Sequence, residues 1–258
     1  MGTVAARMAP CVRMLVGGGL VVFQADAGLN ESGFAALLGA PGEGRGVFCP
    51  AAELEEVYGF LSEQLSPGVT LVGVSGVGTF RVAPVGAVGR LAGRIAIVTG
   101  AAQGFGKGLA AHMAAEGALL VVADLNLPLA EQTAAELRTR FGPDAARALP
   151  VDVSDGASVE ALVEQTVLLY GGLDLMVSNA GVLRAGGLEE IDQKAFEFVT
   201  RVNYTGYFLC AKYAAEVMRL QRRFAPGRTA DINQINSKSG LEGSTKDFAY
   251  AGGKFGGI

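Results

Sequence analysis

The stretch from Ile95 to Asp124 restricts the possible folds of this chain more than any other. An apolar run, Ile95-Ala-Ile-Val-Thr99, has the length and uniform hydrophobicity of a strand buried on both faces, so a parallel sheet is expected. A glycine-rich turn, Gly100-Ala-Ala-Gln-Gly104-Phe-Gly106-Lys-Gly108, follows it directly. Lacking β-carbons, that turn can bend sharply and let a large ligand approach the backbone. Leu109, Ala110, Met113 and Ala114 then recur at helical spacing and Gly117 closes the segment. Ala118 to Ala123 reads as a second buried strand ending in Asp124.

Strand, glycine turn, helix and strand form a βαβ unit. Its helix N-terminus offers unpaired N–H groups and a positive dipole end to a pyrophosphate. Gly100, Gln103, Gly104, Phe105 and Gly106 are the expected contacts. Asp124 lies twenty positions after Gly104, the spacing at which such a unit binds the adenosine ribose hydroxyls. A carboxylate there repels a 2′-phosphate, and Gln103 supplies no positive charge in return. NAD is therefore expected rather than NADP.

Half of the 258 residues are hydrophobic, enough for a large core in one or two domains. The 21 basic and 25 acidic residues leave a net charge of −4, and no basic cluster is interleaved with aromatics, so nucleic acid is not an expected partner. Cys11, Cys49 and Cys210 are odd in number and lack a CxxC pair, which argues against a disulfide frame or a zinc site and fits a reducing cytoplasm. The single histidine, His112, rules out a Ser-His-Asp triad, and no metal site is expected. No apolar run is long enough to cross a bilayer, so no membrane association is expected. Arg7 and Arg13 before the apolar stretch Met14 to Phe23, then Ala25-Asp-Ala27, superficially match a secretory leader. Three consecutive glycines in that stretch weaken the helix a leader needs.

Residues 1–90 are expected to form a small α/β appendage of unknown role. Apolar segments at Leu20–Phe23, Val69–Val74 and Thr79–Val82 alternate with turn signals at Gly39-Ala-Pro-Gly42 and Ser66-Pro-Gly68. Ala51 to Leu65 reads as an amphipathic helix. This part faintly resembles the end of the aldolase portion of sugar-phosphate aldolase–dehydrogenase fusions, and residues 86–93 read as a linker.

Residues 91–258 continue the nucleotide-binding pattern. Ala148 to Val153 is the expected third strand, with Asp152 at its C-terminal end, and Ser154 and Asp155 are the candidate caps of the next helix. Leu173 to Ser178 is the fourth strand and ends in Asn179-Ala180-Gly181. Ligands of open α/β sheets sit beyond the carboxyl ends of the strands, so Asp152 and Asn179 are placed to touch a cofactor. Taken alone, each is equally a plain turn residue. Two helical patterns, Ala195–Tyr204 and Gly206–Arg223, are interrupted by the polar Asn203, and Asp231 to Ser237 is the expected fifth strand.

The reactive set is Ser237, Tyr250 and Lys254. Tyr250 and Lys254 are four apart, which puts them on one face of a helix. A free phenol titrates near 10 and is a poor base at neutral pH. An ammonium one turn away favours the phenolate, and the oxidised nicotinamide ring adds to the effect. Tyr250 then takes the proton of an alcohol as hydride leaves its carbon, and Ser237 hydrogen-bonds the reacting oxygen.

Taken together, Thr99-Gly100-Ala-Ala-Gln-Gly104-Phe-Gly106, Asp152-Val153, Asn179-Ala-Gly181, Asn203, Ser237 and Tyr250-Ala-Gly-Gly-Lys254 resemble the short-chain dehydrogenase/reductase family in order and spacing. The resemblance implies a Rossmann-type doubly wound parallel sheet with NAD as cofactor. It implies a catalytic tetrad of Asn203, Ser237, Tyr250 and Lys254, with Asn203 helping to hold a water near Lys254. Asp152 would bond the adenine, Asn179 would line the cofactor, and Val153, Ala180, Gly181, Tyr250 and Lys254 would also contact it. Ser178 departs from the family, where many members carry another Asn. Gln234-Ile-Asn-Ser-Lys-Ser-Gly240 and Lys254-Phe-Gly-Gly-Ile258 are similar to members acting on polyol phosphates, and Lys238 or Lys246 are candidate phosphate contacts. A free polyol or a 3-oxoacyl compound is the alternative substrate, and a non-catalytic NAD-binding fragment or scaffold the alternative function. The family also implies a homo-oligomer. It continues past the position of Ile258 with further strands and a lid, so the domain is expected to be C-terminally incomplete with an exposed fifth strand.

Overall fold

A computed structural model describes residues 3–38, 45–51, 53–86 and 88–258. The expected turn at Gly39 to Gly42 lies outside the described residues. In chain order the elements of the N-terminal part are α1 (Val4–Leu15), β1 (Leu20–Ala25), α2 (Glu31–Leu37), β2 (Gly46–Cys49), α3 (Leu54–Gln64), β3 (Leu71–Val74) and β4 (Gly78–Ala83). Gly17, Gly18 and Gly19 all adopt positive φ, so α1 stops at Leu15 and the chain reverses into β1. The four strands form one sheet in the order β1-β4-β3-β2, antiparallel except for the β2–β3 pair. Alternation along β3 sends Val72 and Val74 into the main core and Leu71 to the opposite face, where it meets Phe34 of α2.

The second part begins with β5 (Ile95–Thr99), α4 (Gly104–Ala115), β6 (Leu119–Asp124), α5 (Leu127–Phe141), β7 (Ala146–Pro150), α6 (Gly156–Tyr170) and β8 (Leu175–Ser178). It ends with α7 (Gln193–Thr200), a π turn (Arg201–Thr205), α8 (Gly206–Phe224), β9 (Asp231–Gln234), α9 (Lys238–Glu242) and α10 (Phe248–Phe255). All five strands are parallel, in the order β7-β6-β5-β8-β9, giving the expected doubly wound Rossmann-type sheet. Ile95, Ile97, Leu119 and Val121 face α6 and α8, while Ala96, Val98, Leu120 and Val122 face α4 and α5. Among the described residues no helix is long and apolar enough to cross a membrane.

Four local expectations change. The third strand ends at Pro150, not Val153, because the Asp152 carboxylate folds back to accept from both the backbone N–H and the hydroxyl of Ser154 at 2.9 and 2.7 Å. Ser154 is thus turned towards Asp152, and Asp155 alone caps α6. The fifth strand ends at Gln234, and Ser237 is instead the N-cap of α9, its Oγ accepting from Ser239 N–H at 3.3 Å. The two helical patterns around Asn203 form one continuous helical run through the π turn.

The N-terminal part shares its core with the second part. α1 lies across α6 and α8, and Met8, Val12, Val21 and Phe80 join Val163, Val167, Cys210 and Val217 in one apolar cluster. Inside that seam Arg13 and Asp174 are both fully buried and paired at 2.6 Å (Nη2–Oδ2). Arg13 also donates to the carbonyls of Gly19 and Gly93, at 3.2 and 3.0 Å. Asp174 further accepts from the Ile95 N–H at 2.9 Å and from Arg228 Nε at 3.3 Å. Gln221 closes the seam by exchanging two hydrogen bonds with the Leu173 backbone, at 2.8 and 2.9 Å. Arg13, which in the sequence flanks a leader-like stretch, is therefore an interior residue.

Candidate active site

The glycine turn is shaped by what its missing β-carbons allow. Gly100 has φ +65° and a β-carbon there would stand 2.9 Å from Ala180 Cα, so β5 and β8 converge closely at their C-terminal ends. Gly104 has open space around it and is glycine for its φ of +58°. A β-carbon on Gly106 would run into the Gly100 carbonyl and come within 2.6 Å of Asn179 Nδ2. The start of α4 is thereby pressed onto the turn, and the N-cap Gln103 makes no side-chain cap bond. The first-turn N–H groups of α4 keep their capacity to bind an anion. Gly106→Ala is expected to lower stability by about 1–3 kcal/mol and to abolish dinucleotide binding, read by thermal melting and by NADH fluorescence titration.

Asn179 braces this cradle: its Nδ2 donates to the carbonyls of Thr99 and Gly100 at 2.9 and 3.2 Å. The Thr99 hydroxyl accepts from the N–H groups of Asn179 and Ala180, both at 3.1 Å. Asp124 accepts from Ala102 N–H and Asn126 N–H at 3.0 and 2.9 Å, which fixes its carboxylate at the end of β6. A cleft of about 370 Å³ opens here, lined by Gly100, Gln103, Asp124, Asp152, Val153, Asn179, Ala180 and Gly181. Of the other expected cofactor contacts, Gly104 and Gly106 shape the turn without lining the cleft, and the Phe105 ring is 76% exposed. Leu125, Val151, Ser154, Val182, Phe198 and Val202 also line it. Sequence reasoning missed all six as cleft residues, though Leu125 and Val151 directly adjoin the singled-out acids Asp124 and Asp152. Backbone donors at a helix start, a cradle too tight for β-carbons and an acid at the second strand's end together fit a dinucleotide. No group of His, Cys, Asp or Glu able to hold a metal ion is found among the described residues.

Two of the expected site residues, Asn203 and Lys254, reach the wall of this cleft at Gly181, and Tyr250 stands beside Lys254. Asn203, 2% exposed in the π turn, exchanges two 2.8 Å hydrogen bonds with the Val182 backbone. Lys254, on α10, is 4% exposed, and its Nζ donates to the Ile235 carbonyl at 2.6 Å. Burial lowers the Lys254 ammonium below the usual lysine range. Its Nζ lies 5.8 Å from the centroid of the Tyr250 ring. A β-carbon on Gly181 would stand 3.3 Å from Asn203 Oδ1 and 3.7 Å from Lys254 Nζ, so glycine at this point brings both polar groups up to the cleft wall. Gly240 lets α9, opened by Ser237, pack against Lys254, since a β-carbon there would lie 2.8 Å from Lys254 Cβ. Asn236, not singled out in the sequence, donates to the Lys254 carbonyl at 3.1 Å and accepts from Ser237 N–H at 2.7 Å. Lys238 is paired with Glu242 at 3.3 Å and is 82% exposed, a solvated arrangement.

The parallel sheet, the glycine cradle and this wall are features of a nucleotide-dependent oxidoreductase. Residues 94–258 match the short chain dehydrogenase family, and the chain belongs to it. It is 35% identical over 165 residues to the sorbitol-6-phosphate 2-dehydrogenase of Escherichia coli (strain K12), covering 64% of this chain and 62% of that protein. The crystal structure of sorbitol-6-phosphate 2-dehydrogenase SrlD from Erwinia amylovora is 37% identical with a TM-score of 0.59, over 63% of this chain and 61% of that one. A short chain dehydrogenase/reductase from Burkholderia phymatum in complex with NAD is 29% identical with a TM-score of 0.59, over 64% of this chain and 57% of that one. The chain thus spans about three fifths of the length of each of these proteins.

Proposed function

We propose that this chain carries the nucleotide site and the reactive residues of an NAD-dependent dehydrogenase that interconverts a polyol phosphate and its ketose phosphate. The observation that carries the reading is the meeting of Asn203 and Lys254 at Gly181, on the wall of the same cleft that holds the glycine turn and Asp124. The identity to two sorbitol-6-phosphate dehydrogenases, 35% and 37%, supports the substrate class.

Bound NAD supplies the hydride acceptor. The α4 N-terminus would hold its pyrophosphate, Asp124 would bind the adenosine ribose hydroxyls, and Asp152 would bond the adenine with Val153 beside it. Tyr250 takes the hydroxyl proton of the substrate as phenolate and returns it in the reverse direction. Lys254 stands beside Tyr250, with Nζ 5.8 Å from the ring centroid. Ser237 donates a hydrogen bond to the reacting oxygen, and Asn203, its amide held by the Val182 backbone, helps to hold a water near Lys254.

The test is NADH oxidation with fructose 6-phosphate, free fructose and a 3-oxoacyl thioester. Fructose 6-phosphate is expected to give the highest kcat/KM, and NADPH to serve at least tenfold worse than NADH. Equal or faster turnover of the thioester would replace the substrate class, and absence of NADH binding would remove the whole reading.

A further inference from the structure

A phosphorylated substrate needs a cation beside the cleft, and the charged side chains near its mouth differ in what already engages them. Arg184 lies three residues past Gly181, the glycine at which Asn203 and Lys254 meet. Its exposed guanidinium lies over the Phe198 ring, with Cζ 5.4 Å from the centroid, and Phe198 itself lines the cleft together with Val182. Its one hydrogen bond among the described residues is Nη1 to the neighbouring Leu183 carbonyl, at 3.3 Å. No carboxylate pairs with it among the described residues. A guanidinium attracted to a ring face and paired with no carboxylate keeps N–H donors that match phosphoryl oxygens two at a time.

The backbone around Arg184 is tied to the helix that carries Tyr250. Gly186 N–H donates to the Lys246 carbonyl at 2.6 Å, and Gly186 and Asp247 form an isolated parallel bridge just before α10. The loop bearing Arg184 is therefore referenced to the same frame as the phenol. Lys238 is engaged by Glu242.

We propose that Arg184 is a specificity-determining residue of this site, binding the phosphate of the substrate from its place over the Phe198 ring. The proposal rests on the polyol-phosphate reading above. It gives the preference for a phosphorylated sugar a single source, separate from the cofactor's own phosphates at the α4 N-terminus.

The test compares the wild-type protein with Arg184→Gln, Arg184→Lys and Lys246→Gln, measuring KM and kcat for fructose 6-phosphate and fructose and the Kd of NADH. Arg184→Gln is expected to raise the fructose 6-phosphate KM at least tenfold and to leave kcat, the fructose KM and NADH binding within twofold. Arg184→Lys recovers part of the loss, since it keeps the charge without the fork. An unchanged KM in Arg184→Gln, the main loss appearing in Lys246→Gln, or a parallel fall in NADH affinity overturns the proposal and leaves the polyol-phosphate reading standing. A wild-type protein that does not discriminate between the two sugars overturns both.

Discussion

Replacing Tyr250 with phenylalanine is expected to cut kcat for ketose phosphate reduction by a factor on the order of 10²–10⁴ and to leave the Kd of NADH within twofold. The change removes one oxygen from α10, and nothing in the cradle depends on it. Gly100, Gly106, Asn179 and Asp124 keep their hydrogen bonds, none of which involves the phenol. On the proposed mechanism, what is lost is the group that exchanges a proton with the substrate oxygen. Stopped-flow or steady-state NADH oxidation reads the rate, and fluorescence titration reads the cofactor. A Tyr250→Phe protein that turns over at the wild-type rate would remove Tyr250 from the chemistry. A wild-type chain that binds NADH and reduces no ketone would point to a binding fragment.

The second large effect is expected at Arg13. Arg13→Leu leaves the Asp174 carboxylate, itself fully buried, with only Arg228 as a charged partner, and removal of one member of such a pair costs about 3–5 kcal/mol. For a chain of this size that corresponds to a fall in Tm of roughly 10 °C. The double variant Arg13→Leu with Asp174→Leu is expected to be more stable than either single variant, because neither charge is then left unpaired in the interior. The same pair sets an acid dependence. Burial alone would raise the Asp174 carboxyl, but Arg13, Arg228 and the Ile95 N–H outweigh it and hold the group below the ordinary aspartate range. A carboxylate depressed in the folded state binds its proton more readily in the unfolded chain. Its stabilisation is therefore complete above about pH 4, the unfolded aspartate range, and is lost as pH falls towards the lower folded value. Urea unfolding between pH 5 and pH 3 is expected to show a shallower loss of stability in Asp174→Asn than in wild type.

Much of the second half was legible in the sequence because local pattern and chemistry agree there. The glycine turn needs positive φ and close approach, and only glycine supplies both, so Gly100, Gly104 and Gly106 announce the cradle. Uniform apolar runs marked the buried strands, and an acid at the end of β6 marked the ribose end. The errors fall where a side chain captures the backbone: Asp152 closes a turn on Ser154, and Ser237 caps α9, so both expected strands end early. No hydrophobic period reports such captures. The π turn at Asn203 was equally hidden, since its cause is a pairing with Val182, twenty-one residues away. Arg13 was the least legible. Its partner Asp174 lies 161 residues along the chain, and an arginine beside an apolar stretch reads locally as a flanking charge.

That distance bears on how the polypeptide can be made. When α1 leaves the ribosome, the carboxylate that neutralises Arg13 has not been translated, and neither has α8, against which the helix packs. α1 can pack early on α3, β1 and β4, but the face that meets α6 and α8, with Arg13, stays uncovered until synthesis has passed Asp174 and α8. Final docking of the N-terminal helix is thus timed by translation of the second half, and chaperone capture of the growing chain is expected to peak before that point.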